Sequence, residues 1–243
     1  MAIGRPPGSR ARLRSKTSPT SSAASSLPPR GLEPTGIVLV DKPAGPSSFA
    51  IVADLRRRTR ARTGHAGTLD PFATGLLLLL SGRATKLASC FVGLDKRYVT
   101  DIDLTARTST GDPEGTVIMR GEAPSADELE RQLEGLRGEV ELPIPATSAV
   151  KIGGERAYKL ARRGVQVDMP TRRSRIGALD VIAYSDGELR LDLHVSSGTY
   201  VRAVADVLGG HCRTLRRLEI GPFSVDEADP ERFIPPDEAL ARL

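Results

Sequence analysis

The sequence predicts an α+β fold on a mixed sheet, and three observations predict it. Two short apolar runs, residues 37–40 and 76–80, read as buried strands. Residues 98–104 and 188–195 alternate with period two, as half-buried strands do. Helical stripes fall unevenly between them, at Leu129, Leu133 and Leu136 and again at Val201, Val204, Ala205 and Leu208.

Length and composition bound what such a fold can be. With 243 residues and 39% hydrophobic content the chain can bury a sizeable core, in one large domain or two small ones. Trp is absent and aromatics are only 4%, so that core is mainly Leu, Val, Ile and Ala. A net charge of +5 favours a polyanionic partner. Much of the excess lies in the N-terminal tail and in Arg56, Arg57, Arg58, Arg60 and Arg62, and a solvated basic face has the same composition. Cys90 and Cys212 fit no metal-ligand spacing and read as reduced structural thiols of a cytosolic protein. No stretch of about 18 apolar residues occurs, so no membrane span is expected.

Residues 1–34 are rich in Ser, Pro and Arg, with Glu33 the first acid. Organellar transit peptides share that composition, but Pro6, Pro7, Pro19, Pro28 and Pro29 interrupt any long amphipathic helix. A disordered basic arm over 1–34 is expected, with one folded domain over 35–243.

The first strand, residues 37–40, ends at Asp41-Lys42-Pro43. Gly45-Pro46-Ser47-Ser48 then turns the chain and offers a helix N-cap. Phe49, Val52 and Ala53 are expected on the inner face of that helix, with the arginines opposite. Next comes Gly64-His65-Ala66-Gly67-Thr68-Leu69-Asp70-Pro71-Phe72-Ala73-Thr74-Gly75, a run of Gly and small residues holding one acid and one imidazole. Pro71 biases Asp70 toward extended backbone, and a carboxylate on a constrained loop ahead of a buried strand is a candidate functional group. Asp-Pro is also a common turn starter. A P-loop is excluded, since Gly82-Arg83-Ala84-Thr85-Lys86 does not supply the Gly-Lys-Ser/Thr order.

After a turn at Ser81-Gly82, Tyr98, Thr100, Ile102 and Leu104 point one way along the next strand and Val99, Asp101 and Asp103 the other. On spacing alone Tyr98 is an ordinary strand aromatic. Ser125-x-x-Glu128 reads as a capping box opening the Leu129 helix. In 188–195, Leu189, Leu191, Leu193 and Val195 face inward and His194 faces solvent. Gly209-Gly210 stops the Val201 helix, at whose entrance stand Tyr200 and Arg202, off its apolar stripe. A cation there opposes the helix dipole and requires an anion.

Three of these segments together resemble the TruB family of tRNA pseudouridine synthases. Gly64 to Gly75 followed by Gly82-Arg83-Ala84-Thr85-Lys86 is similar to the family signature, Lys96-Arg97-Tyr98 to its Lys-x-Tyr motif, and Gly198-Thr199-Tyr200-Val201-Arg202 to its Gly-Thr-Tyr-x-Arg motif. Residues 215–225 look like the family's closing strand. The resemblance implies a mainly antiparallel, two-lobed sheet with flanking helices and an RNA-binding thumb loop. The thumb would be Pro143 to Lys151 with Arg156-Ala157-Tyr158 and Ala161-Arg162-Arg163-Gly164; it departs from the family at Thr147, where an aromatic is common.

The resemblance further implies isomerisation of a uridine in the T arm of tRNA, at position 55, without cofactor or metal. Asp70 would be the catalytic aspartate, as nucleophile or as base, with Arg202 its partner and Tyr98 the platform for the target base. His65 would be a wedge beside that base and Tyr200 a pocket support, with Lys151, Arg156, Tyr158 and Arg162 gripping RNA. A cytoplasmic monomer is expected, with tRNA as partner and no membrane or protein partner, and organellar import as the alternative. Ending at Leu243, the chain is expected to lack the C-terminal PUA-type domain of many relatives. Rival readings are a synthase acting on another RNA and a non-catalytic tRNA-folding chaperone.

Overall fold

The computed structural model describes Met1, residues 34–165 and residues 167–243. The arm expected over 1–34 lies almost wholly outside the described residues. From Gly36 the chain runs β1 (Gly36–Lys42), α1 (Ser48–Thr59), β2 (Thr63–His65) and β3 (Thr74–Ser81), then a 3-10 turn and α2 (Ala88–Val92). There follow β4 (Lys96–Asp103), the hairpin β5 (Ala106–Thr108) and β6 (Val117–Arg120), α3 (Ala126–Glu134) and β7 (Gly138–Pro143). A small ribbon, β8 (Lys151–Ile152) with β9 (Glu155–Arg156), leads to α4 (Ala157–Arg162). The chain closes with β10 (Thr171–Ser185), β11 (Glu188–Val195), α5 (Val201–Val207), β12 (His211–Ile220), β13 (Phe223–Ser224), β14 (Asp229–Ile234) and α6 (Pro236–Leu240).

The main sheet has the order β14-β1-β3-β12-β4-β11-β10-β7, with β2 on β3 and β13 on β12. Its pairings are antiparallel except one: β3 and β12 run parallel, and only Thr74 with Arg216 and Gly75 with Arg217 are in register. That two-residue seam joins the lobes. One lobe is β14-β1-β3, the other β12-β4-β11-β10-β7, and the Asp70 loop enters the sheet at the seam.

Burial follows the chemistry of the strands. Leu76 to Leu80 are fully buried because β3 is covered on both faces: Leu76, Leu78 and Leu80 pack with Phe91 and Phe223, while Leu77 and Leu79 pack with Val52 and Leu55 of α1. In the other lobe Tyr98, Ile102, Leu191 and Leu193 share one core with Leu129, Leu133, Val201 and Val204, so α3 and α5 cover a single face. The alternation expected in β4 and β11 is the one observed, and His194 is exposed.

Three local expectations are corrected. In α1 the inner face is Ser48, Val52 and Leu55, and Phe49 is 66% exposed. Ser125 caps α3 by accepting from the Glu128 amide, but that is only half of a capping box. Cys212 is buried while Cys90 is exposed, so only one thiol sits in the core.

Candidate active site

The loop between β2 and β3 is fixed from beneath. Gly75 has φ +100°, and a Cβ there would fall 2.2 Å from the Arg217 carbonyl oxygen, so only glycine fits at the seam. Ser48 Oγ accepts from the Leu69 amide and donates to the Leu69 carbonyl, each at 2.8 Å. Pro71 O accepts from the Gly45 amide at 2.8 Å and from Lys42 Nζ at 3.1 Å. With its backbone so held, Asp70 presents a side chain about one third exposed, at 32%.

Arg202 meets it. Its Nε donates to Asp70 Oδ2 at 2.9 Å, although the guanidinium is only 3% exposed. Nη1 donates to Thr110 O at 2.7 Å and to Thr147 Oγ1 at 2.6 Å, and Nη2 to Thr147 O at 3.3 Å. A second carboxylate, Asp112 Oδ2, lies 3.6 Å from Nη1. Asp112 is itself oriented by Thr110 Oγ1 at 2.5 Å and the Glu114 amide at 3.1 Å, both donating to Oδ1. Arg202 was expected off the buried stripe of its helix; it is instead buried with Val201, Ala203 and Val204, because these partners satisfy its charge. The arrangement fixes one oxygen of Asp70, while the other accepts no hydrogen bond from the described residues. Such a carboxylate is free to take a proton or attack a carbon.

Tyr98 lies in the same buried cluster as Leu69 and Ala73 of the loop, with Tyr200 packed against it. Both predicted tyrosines thus belong to the core that also takes in Leu69 and Ala73 of the loop. His65 sits at the end of β2 opposite Leu79. Burial, and then the charge of Arg217, hold its imidazole below the usual histidine range, and its buried Nδ1 has no hydrogen-bond partner among the described residues. Lys151, Arg156, Tyr158 and Arg162 stand apart on the β8-β9-α4 segment, where none bonds Asp70. That segment folds on itself: Tyr158 N donates to Ser148 O, Ala157 N to Val150 O, Arg156 to Ala149 O, and Arg162 lies 5.6 Å from the centre of the Tyr158 ring. Its link to the site is Thr147, the position at which the sequence leaves the family pattern.

Sequence reasoning missed Asp112 and the burial of the bases Lys42, Lys96 and Arg217. Lys96 Nζ donates to Val92 O and Leu94 O and to Ser197 Oγ at 3.2 Å. Burial, then Arg217, lowers its pKa to about 8, with Asp95 acting the other way. Burial likewise pushes the Lys42 ammonium below its ordinary value, against the pull of Asp70 and Glu114. The one available signal was position: Lys96 opens the Lys-x-Tyr segment, and Arg217 lies in the 215–225 segment that resembles the family's closing strand. Among the described residues no group of three or more His, Cys, Asp or Glu converges on a metal-sized site.

Known proteins resemble this chain in sequence and in fold. Residues 56–201 match the TruB family pseudouridylate synthase N-terminal domain. A Mycobacterium sp. (strain KMS) protein named tRNA pseudouridine synthase B is 45% identical over 208 residues, covering 80% of this chain and 70% of that protein. A Corynebacterium glutamicum protein of the same name is 41% identical over 228 residues, covering 85% and 77%. Among solved structures, a chain of a Cbf5-Nop10-Gar1 complex aligns with TM-score 0.60 at 25% identity; the match covers 79% of this chain and half of that one. A chain of an H/ACA RNP bound to a substrate RNA containing 2′-deoxyuridine aligns with TM-score 0.61 at 21% identity, over 86% and 61%, a likeness of fold.

Proposed function

The chain belongs to the TruB family of pseudouridylate synthases, and on that premise we propose that it isomerises a uridine in the T arm of tRNA, at position 55, with Asp70 as the reacting carboxylate. The observation that carries the reading is the Asp70–Arg202 pair at the seam of the two lobes, one carboxylate oxygen held at 2.9 Å and the other open. The relatives named tRNA pseudouridine synthase B support tRNA as the substrate.

The reaction breaks the N1 to C1′ bond, turns the uracil and rejoins it through C5, with loss of the C5 proton. The uridine has to leave its stack first, at a cost of a few kcal/mol. His65, neutral at pH 7 because burial and Arg217 disfavour its protonation, fills the space beside the displaced base as an uncharged wedge. Tyr98 is the stacking platform and takes part in the late proton transfer, and Tyr200 supports the pocket wall. Asp70 acts as nucleophile at C1′ or as base in an elimination through a glycal; both roles use the ionised carboxylate that Arg202 complements in charge. Lys151, Arg156, Tyr158 and Arg162 present cations and an aromatic ring to the RNA backbone and bases. No step requires a cofactor.

The test is Asp70→Asn, isosteric but neither nucleophile nor base. It should abolish tritium release from 5-labelled uridine in tRNA and leave tRNA binding nearly intact. Residual turnover within about tenfold of the parent, only some 1.4 kcal/mol of barrier, would remove Asp70 from the chemistry. Carbodiimide-dependent reverse-transcription stops on the parent's product locate the modified base; stops outside the T arm would redirect the proposal to another RNA site.

A further inference from the structure

We propose that Arg217 is a positioning residue for the reaction: its buried guanidinium grips the backbone of the Asp70 loop at both ends and thereby sets where the carboxylate stands. The proposal rests on the reading of Asp70 as the reacting group.

Arg217 lies on β12, opposite Tyr98 on β4 and in parallel register with Gly75 on β3. It is 1% exposed, and among the described residues no carboxylate pairs with it. A buried cation without an anion is costly unless its donors are all used. Here each of the three nitrogens reaches a main-chain oxygen: Nε to Leu76 O at 2.7 Å, Nη2 to Gly67 O at 3.2 Å and, at the limit of a hydrogen bond, Nη1 to Thr68 O at 3.5 Å. One rigid plane therefore ties the first residue of the leucine run to the opening residues of the loop, and Asp70 lies between the two anchors. A leucine at 217 would bury as readily without the electrostatic cost, and it would hold nothing.

The surroundings are built to the same end. Gly75 is pressed against the Arg217 backbone, and Gly67, with φ +109°, faces its Nη1 atom. Between the anchors three further carbonyls are also occupied: Leu69 O by Ser48, Asp70 O by the Ala73 amide at 3.2 Å, and Pro71 O by Lys42 and Gly45. Among the described residues the Asp70 side chain has a single hydrogen bond, from Arg202. One bond to a carboxylate leaves torsional freedom, so the backbone supplies the remaining precision. Displacement of a reacting group by 1 Å can cost on the order of 100-fold in rate. Arg217, being 1% exposed, offers no surface to a substrate and therefore acts through the loop.

Arg217→Lys keeps the charge and loses the fork, so one ammonium cannot reach both ends of the loop. The expected result is a single-turnover rate on pre-bound tRNA lower by about 10- to 100-fold, a tRNA Kd within about twofold of the parent, and faster hydrogen exchange at the Leu69 and Ala73 amides. An unchanged rate, a rate loss matched by the loss in binding, or unchanged exchange in the loop would overturn the proposal. Should Arg217→Lys not fold, Ser48→Ala removes only the Leu69 pin and should give the same split between rate and binding at smaller amplitude; full speed in that variant also overturns it. Asp70→Asn, run alongside, separates the two readings. If it retains activity, Asp70 is misassigned; if it is inactive while Arg217→Lys runs at full speed, only the role of Arg217 falls.

Discussion

A cation in the first turn of a helix opposes the helix dipole, and Arg202, the second residue of α5, is tolerated there because two carboxylates face it. Asp70 could be expected from the sequence. Asp112 could not, since Thr110-Gly111-Asp112-Pro113 reads as an ordinary turn and only the fold carries it to Arg202. The burial of Lys42, Lys96 and Arg217 was missed for a related reason: periodicity treats charge as exposure, while these three are buried on carbonyl oxygens. The network makes the two partners unequal. In Arg202→Met, Asp112, whose side chain is 6% exposed, loses its cation, and three acceptor contacts at Thr110 and Thr147 lose their donor. Breaking a buried pair in this way costs about 3–5 kcal/mol. Asp70→Asn should cost much less, because Arg202 keeps Asp112, Thr110 and Thr147 and the amide oxygen can still accept from Nε. The double variant should lose less stability than the two single losses summed. Urea unfolding of the four proteins decides it; equal single costs with strict additivity would show that the pair is not coupled.

Among the elements, the strands with clean alternation were legible and the helix phase was not. Phe49 has the stronger hydrophobic claim on the interior, yet α1 turns Ser48 inward, where its hydroxyl makes both bonds to Leu69. The loop sets the phase of the helix. The strand β10 left no period-two signal, because Arg172, Arg173 and Arg175 lie in the stretch paired with β7 and its pairing with β11 shifts register twice. Strand β4 shows what alternation conceals: its first inward residue is Lys96, not an apolar side chain. In the folded protein that ammonium deprotonates near pH 8, whereas in the unfolded chain it holds its proton to about the model-peptide value of 10.4. Between those limits the unfolded state binds more protons, so Lys96 makes stability rise with pH across the window; below about pH 8 both states are charged and the full cost of burial applies. Lys96→Met should remove that slope. Parallel stability profiles for parent and variant between about pH 8 and pH 10, from urea midpoints, would show that Lys96 does not titrate on unfolding.

At the scale of the whole molecule, strand order was beyond linear reading, since the seam that brings Thr74 beside Arg216 spans two residue pairs and leaves no mark in either segment. Charge distribution, in contrast, is legible. Six of the 35 basic residues, Arg5, Arg10, Arg12, Arg14, Lys16 and Arg30, and one of the 30 acidic ones, Glu33, lie within residues 1–33, so residues 34–243 hold 29 of each and have no net charge. The folded part nevertheless has to hold a polyanion, and it is laced with ion pairs such as Arg97 with Asp192 and Glu219, Arg216 with Asp41, and Arg163 with Glu155. Arginines already paired release fewer counterions when a phosphate approaches. The net positive charge available to RNA therefore resides in the N-terminal segment, which contains no motif residue. Removing residues 2–33 should weaken tRNA binding and flatten its dependence on salt, by up to about five in the slope of log K against log salt if each excess charge meets a phosphate. The single-turnover rate on saturating tRNA should be unchanged, because every residue assigned to the chemistry lies beyond position 60. Binding isotherms at several salt concentrations, for full-length and shortened protein, measure the difference. Equal slopes would mean that the segment does not touch RNA and that the neutral folded domain grips its substrate through geometry and local cations such as Lys151 and Arg162 alone.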